Sequence, residues 1–218
     1  AVAWFISSHS LPPRIWHLLA GFMMCAIPTL LIAKQPDLGT SILIAAAGVF
    51  VLFMSGMSWR IITFVAAVIS AFLPVLWLFL MHDYQRRRVL IFLDPESDPL
   101  GAGYHISQSK IAIGSGGLFG KGYLNGSQSH LDYLPEGHTD FVFATMVEEW
   151  GMVGGVLLIL AFAAVIRWGM KVAANARSRF AQLSAAGLSA TIFFYIAINL
   201  MMVMGLAPVV GIPLPLVS

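Results

Sequence analysis

Long apolar runs separated by short polar links make up most of the chain. Ala1–Ile6 (AVAWFI) reads as the last turn or two of a helix, and Ser7–Arg14 (SSHSLPPR) is a polar turn. His17–Ala33 is apolar and interrupted by Pro28, and Lys34–Gly39 (KQPDLG) is a tight polar link. Thr40–Met57 and Ile61–Met81 are apolar, joined by Ser58–Arg60, and the second contains Pro74. A long polar segment covers His82–Thr139. Beyond it lie the apolar run Phe141–Trp168, a basic link to Phe180, and the apolar run Ala181–Met204. The hydrocarbon core of a bilayer takes about 20 helical residues to cross, so the pattern predicts five crossings, with His17–Ala33 the shortest. A run that short would also suit a buried helix of a water-soluble protein, but five in succession do not. The expected fold is all-α: one polytopic helical membrane domain over 1–218, a large external loop at 82–139, and an external segment at 205–218 that can re-enter the membrane.

The long loop is patterned. Tyr84–Leu93 (YQRRRVLIFL) sets three arginines beside five apolar residues and suits an element lying in the membrane interface. Asp94–Gly103 (DPESDPLGAG) is turn material, Tyr104–Ile113 (YHISQSKIAI) reads as a short amphipathic helix, and Gly114–Gly126 is rich in glycine. The fourth apolar run carries Glu148 and Glu149. A carboxylate at the bilayer centre costs on the order of 3 kcal/mol, so the membrane-buried part is expected from Trp150 to Trp168. Asp140–Glu149 then extends outward as helix or lines a wet cavity, with Asp140, Ala144 and Glu148 near one face. Gly151, Gly154 and Gly155 suit close helix packing.

Composition and charge sharpen the picture. The 218 residues are 59% hydrophobic and 10% charged, with mean hydropathy +0.86, against about 25% charged in soluble domains. The single cysteine, Cys25, cannot form an internal disulfide. With five crossings the links alternate in side. One side collects Arg14, Arg60, Arg167, Lys171, Arg177 and Arg179 and no acid; the other collects six basic and ten acidic residues. Only Lys34 of those six lies in a short loop, so the positive-inside rule makes the first side cytoplasmic and 82–139 external. The sequence lacks an initiator Met and a signal peptide, and it stops at Pro213–Ser218 (PLPLVS) without a closing helix. It is expected to be an internal piece of a longer protein.

Arg86, Arg87, Arg88, Lys110 and Lys121 are cations on the side where cations are scarce. An anionic ligand such as a pyrophosphate at headgroup level would use them; contact with lipid headgroups, or pairing with Asp94, Glu96 and Asp98, accounts for them equally well. Ser115–Gly122 (SGGLFGKG) is not a phosphate loop, because Ser115 and Gly122 stand where that pattern needs Gly and Ser or Thr. His82, His105, His130 and His138 show no metal-site spacing, and no compact acidic triplet marks a hard-cation site. Asp140 lies where the polar segment becomes apolar, with Thr139 as candidate helix N-cap. A general base needs a pKa raised toward working pH, whereas a helix N-terminus favours the charged form. On pattern alone, a plain helix-start aspartate is the stronger reading.

Five segments then make a recognisable set: Gln35–Ser41 (QPDLGTS), Asp94–Lys110 (DPESDPLGAGYHISQSK), Ile113–Gly122 (IGSGGLFGKG), Leu134–Phe143 (LPEGHTDFVF) and Pro213–Ser218 (PLPLVS). Together they resemble the SEDS family of wall-synthesis membrane proteins, which has RodA and FtsW branches. HDYQRRR at His82–Arg88 and PVVGIPLPLVS at Pro208–Ser218 look more like the RodA branch. The resemblance implies a ten-helix glycosyltransferase that polymerises lipid II into peptidoglycan strands, with this chain holding roughly the fifth to ninth helices. It implies a class B penicillin-binding protein as partner and the bacterial cytoplasmic membrane as location, with the active face periplasmic. It maps the essential aspartate of the family onto Asp140, which reverses the reading from pattern alone. Glu148-Glu149-Trp150-Gly151 stands where the family commonly has Glu-Glu-Leu-Gly, a mild departure that leaves Glu149 as a helper. The expected catalytic residue is Asp140. Arg88, Lys110, Glu136, His138, Thr139 and Glu149 are expected at the substrate, with a divalent cation (Mg or Mn) as an optional cofactor. Nothing calls for nucleic acid. A lipid II flippase and a noncatalytic scaffold of the wall-synthesis complex stand as alternatives; external crowding of the polar groups favours the enzyme.

Overall fold

The computed structural model describes residues 1–9, 13–35, 37–81, 83–94, 98, 101–130, 137 and 139–218. Every regular element among them is helical: α1 (Val2–Ser7), α2 (Ile15–Ala33), α3 (Leu38–Met54), α4 (Trp59–Val75) with a π-helical turn at Leu76–Leu80, α5 (Asp83–Leu93), α6 (Ala102–Ser115), α7 (Ser127–His130), α8 (Val142–Asn175) and α9 (Arg179–Val203). Four stretches are long and apolar enough to cross a membrane: α2, Trp59–Phe79, α8 and α9. The fifth expected crossing is α3, apolar but 17 residues long. At about 1.5 Å per residue it stands at the lower end of spanning length.

Local chemistry sets the helix ends. Asp37 caps α3, its carboxylate accepting from the Thr40 N–H at 3.0 Å. Pro74 has no N–H to give to the carbonyl four residues back, and α4 widens into the π-helical turn directly after it. At the end of α9, Gly205 has φ +69. Its N–H donates to the Met202 carbonyl at 3.0 Å, and the Leu206 N–H donates to Met201 at 2.7 Å. This pair of bonds is a Schellman motif, which needs a left-handed residue where Gly205 stands.

The chain divides into two compact units, Ala1–His82 with Val165–Phe194, and Asp83–Ala164 with Tyr195–Ser218. In the first unit Ile6, Leu18, Val51, Leu52 and Leu183 form a buried cluster, flanked by Val2, Ala3, Phe5, Met57 and Ile61. Lipid tails are as apolar as leucine, so close packing rather than expulsion of water holds membrane helices together. Glycines make that packing possible: a methyl at Gly21 would stand 2.8 Å from Leu52 Cδ2, and one at Gly187 2.7 Å from Val51 Cγ2. Large apolar side chains that point outward, among them Trp16, Leu30, Phe64, Phe79, Leu157 and Leu160, form a surface suited to lipid. The second unit carries the polar loop. Its α6 buries Gly103, Ile106, Ser109 and Ala112, one every third residue, as a single helix face.

Candidate functional site

Helix α8 is broken at Gly151, which has φ 70 and ψ −171. An unbroken helix would pair the N–H groups of Met152 and Val153 with the carbonyls of Glu148 and Glu149. Instead the glycine-rich loop supplies all four partners. Met152 and Val153 donate to the carbonyls of Gly117 and Leu118 at 2.9 and 3.2 Å, while Lys121 and Gly122 donate to Glu148 and Glu149, each at 3.0 Å. Two helical bonds are thus exchanged for four, and each of these four freed backbone groups is paired. So close an approach needs glycine: a side chain on Gly120 would collide with the Glu149 carbonyl, and one on Gly151 with the Gly120 amide. The glycine-rich loop Ser115–Gly122 is a wedge in a membrane helix.

The same contact buries a charge. Glu148 has no solvent exposure. Its Oε1 accepts from Lys121 Nζ at 2.6 Å, Ser127 Oγ at 3.1 Å and the Gln128 N–H at 3.1 Å. Lys121 Nζ also donates to Ser127 Oγ at 2.8 Å. Lys121 is therefore engaged by a buried carboxylate, which separates it from the cations expected to meet an anionic ligand.

Asp140 lies in a turn that precedes α8, and this corrects the expectation for the helix start. The Phe141 carbonyl accepts the first helical bonds, from Ala144 at 2.9 Å and Thr145 at 3.3 Å. Phe141 is therefore the N-cap, and Thr139 and Asp140 stand outside the helix. From α9, Asn199 Nδ2 donates to the Asp140 carbonyl at 2.8 Å. Asn199 Nδ2 also donates to the Ile212 carbonyl at 2.7 Å. Thr145 Oγ1 ties the turn back to the Gly137 carbonyl at 3.2 Å. On the far side of the carboxylate lies Gly211, with φ +68, where a methyl group would stand 3.5 Å from Asp140 Oδ2.

The segment that follows α9 also meets Lys110. A side chain at Gly205 would collide with Lys110 Cε and Nζ, so this ammonium lies against the Gly205 backbone. Ser109 Oγ donates to the Val203 carbonyl at 2.7 Å and fixes α6 there. His105, one turn earlier on α6, sets its ring 6.2 Å from that of Phe141. The half-buried Asp140 and the exposed Lys110 thus flank one backbone segment, an arrangement that can pair a proton acceptor with a cation for an anionic group.

The other expected site residues distribute as follows. Arg88 is half-buried on α5, which packs on α6, and it makes no ion pair among the described residues. Glu149 is buried beside the α8 break, and Thr139 is exposed in the Asp140 turn. Glu136 and His138 lie outside the described residues. Among the described residues no group of three or more His, Cys, Asp or Glu could hold a metal ion. The sequence reading missed Asn199, Gly205 and Gly211. A signal for the first existed: an amide deep in an apolar run is costly in lipid unless it has partners.

Comparison with known proteins places this geometry in a family. All 218 residues match the FtsW/RodA/SpoVE family, described as cell cycle protein. The chain is 55% identical to the peptidoglycan glycosyltransferase MrdB of Escherichia coli K12 over 217 residues, all of this chain and 59% of that protein. A solved structure described as the structural coordination of polymerization and crosslinking by a peptidoglycan synthase complex superposes with a TM-score of 0.82 at 28% identity, covering 100% of this chain and 60% of that one. The rod shape determining protein RodA of Thermus thermophilus superposes with a TM-score of 0.59 at 25% identity, covering 100% of this chain and 54% of that one. The chain thus spans about three-fifths of the length of the curated relatives it matches first, at 59%. With its helical architecture and ordered motifs, it belongs to the FtsW/RodA/SpoVE family of membrane proteins.

Proposed function

We propose that the intact protein is a peptidoglycan glycosyltransferase that joins lipid II into glycan strands at the outer face of the bacterial cytoplasmic membrane, serving cell elongation and shape. The observation that carries this reading is the placement of Asp140: a half-buried carboxylate in a turn at the head of a membrane helix, beside Gly211 of a segment whose Gly205 lies against the exposed Lys110 ammonium. A lipid-linked sugar presents its reacting atoms at that level, and the relative sharing 55% of its residues carries the name of this activity.

In the proposed reaction Asp140 takes the proton from the 4-hydroxyl of the acceptor sugar. The hydroxyl oxygen attacks the anomeric carbon of the donor, the bond from that carbon to the pyrophosphate oxygen breaks, and the anomeric centre inverts. Undecaprenyl pyrophosphate leaves with the bonding electron pair. Lys110 and Arg88 stabilise the charge that develops on it, a contribution worth several kcal/mol in a water-poor site. Glu136, His138, Thr139 and Glu149 complete the proposed substrate contacts. A class B penicillin-binding protein crosslinks the product as partner. A divalent cation, Mg or Mn, at the leaving pyrophosphate is an optional part of this reading.

The test is reconstitution of the intact protein with its partner in liposomes containing lipid II, followed by gel analysis of glycan length. A ladder of glycan products is expected. Transfer of lipid II across the bilayer without polymer would replace this reading with a flippase, and neither activity would leave a scaffold.

A further inference from the structure

We infer that Asn199 is a positioning residue for the Asp140 site, acting as the tether that holds the turn before α8 and the segment after α9 in register. The inference rests on the reading of Asp140 as the proton acceptor. Asn199 lies on α9 with no solvent exposure. Its two amide protons go to two carbonyls far apart in sequence, Asp140 at 2.8 Å and Ile212 at 2.7 Å. Its Oδ1 is buried with no hydrogen-bond partner among the described residues. The orientation of the amide is therefore fixed by its donors, because a flipped amide would aim an oxygen at two carbonyl oxygens.

The tether bears on chemistry for two reasons. It engages the backbone of Asp140 and leaves the carboxylate outside its own bonds. It also holds Ile212, the neighbour of Gly211, whose Cα faces Asp140 Oδ2. One side chain thus sets the gap between the carboxylate and the backbone beside it. A buried amide in an apolar helix is costly unless satisfied, and leucine would fill the same volume. A displacement of about 1 Å at a reacting group can cost up to about a hundredfold in rate.

The experiment compares intact wild type with Asn199→Leu and Asn199→Ser, each with its partner, by lipid II polymerisation and by amide hydrogen exchange. Leucine removes both bonds at similar volume, and serine keeps one donor. In Asn199→Leu, kcat is expected to fall about tenfold to a hundredfold, with KM for lipid II unchanged within about twofold. Exchange at 139–143 and at 210–214 is expected to rise together while α6 stays protected. Asn199→Ser is expected to fall between wild type and Asn199→Leu, and it carries the test alone if Asn199→Leu does not fold. Unchanged kcat, or faster exchange in one segment only, in either folded variant overturns the inference. A parallel Asp140→Asn variant separates the two claims. If it still polymerises, the base assignment fails, while the exchange result still judges the tether.

Discussion

Two carboxylates in one stretch of chain, Asp140 and Glu148, are buried to different degrees, the first half-buried and the second without exposure. Glu148 is sealed from solvent with one ammonium, one hydroxyl and one backbone N–H on Oε1. Its partners among the described residues satisfy it with an ammonium, a hydroxyl and a backbone N–H, so it is a structural anion. Removing one partner of a buried pair strands the other charge, at a cost of about 3 kcal/mol or more. Lys121→Met is therefore expected to lower the thermal midpoint of the detergent-solubilised intact protein by several degrees. Lys121→Met with Glu148→Gln should recover much of the loss, because no lone charge remains. A single variant that melts with wild type would contradict the anchoring role. The sequence reading left Lys121 between an anionic ligand and pairing with lipid or carboxylate, because charge patterning reports which side a residue is on, not what it touches. It placed Asp140 at the boundary of polar and apolar chain, where the structure has it, but two positions too far into the helix. The bond from Asn199 to the Asp140 carbonyl in this turn comes from 59 residues away and leaves no local trace.

At the scale of elements, the break in α8 shows what hydrophobic period can and cannot tell. The long apolar run, the charged residues before Trp150 and the glycines after it were legible, and the expected membrane boundary falls beside Gly151. The break itself was not, since it depends on a distant loop offering four hydrogen-bond partners in the right places. The glycines of Ser115–Gly122 were visible and were rightly not read as a phosphate loop, but the close approach to the α8 backbone that they serve was not legible. Gly120→Ala tests this. Its Cβ would meet the Glu149 carbonyl, and Gly120 also has φ +79, so the change is expected to cost about 3 kcal/mol or more. Hydrogen exchange should show the amides of Lys121, Gly122, Met152 and Val153 losing protection together. Retained protection at all four would contradict the exchange of bonds between loop and helix.

At the scale of the whole molecule, the five apolar runs became five helices, because long hydrophobic periodicity and length decide membrane helices with little help from tertiary contacts. The side on which each link lies rests on the sorting of Lys and Arg, and cysteine labelling checks it. In a Cys25→Ser background, a membrane-impermeant maleimide is expected to label Asn125→Cys, whose parent residue is exposed, on spheroplasts. Ser178→Cys should react only in inverted vesicles. The reverse pattern would move the candidate site to the cytoplasm and exclude a periplasmic polymerase. The tie between Asp140 and the segment after α9 was not legible, because helices distant in the chain make it through a single amide. The most direct test of the central claim is lipid II polymerisation by the intact protein with its partner, comparing wild type with Asp140→Asn. Asparagine keeps the size and much of the hydrogen bonding but cannot take a proton. A loss of about a hundredfold or more in a folded, partner-bound variant is the expected result. Polymerisation at the wild-type rate would contradict it, and would return Asp140 to the role of a turn residue.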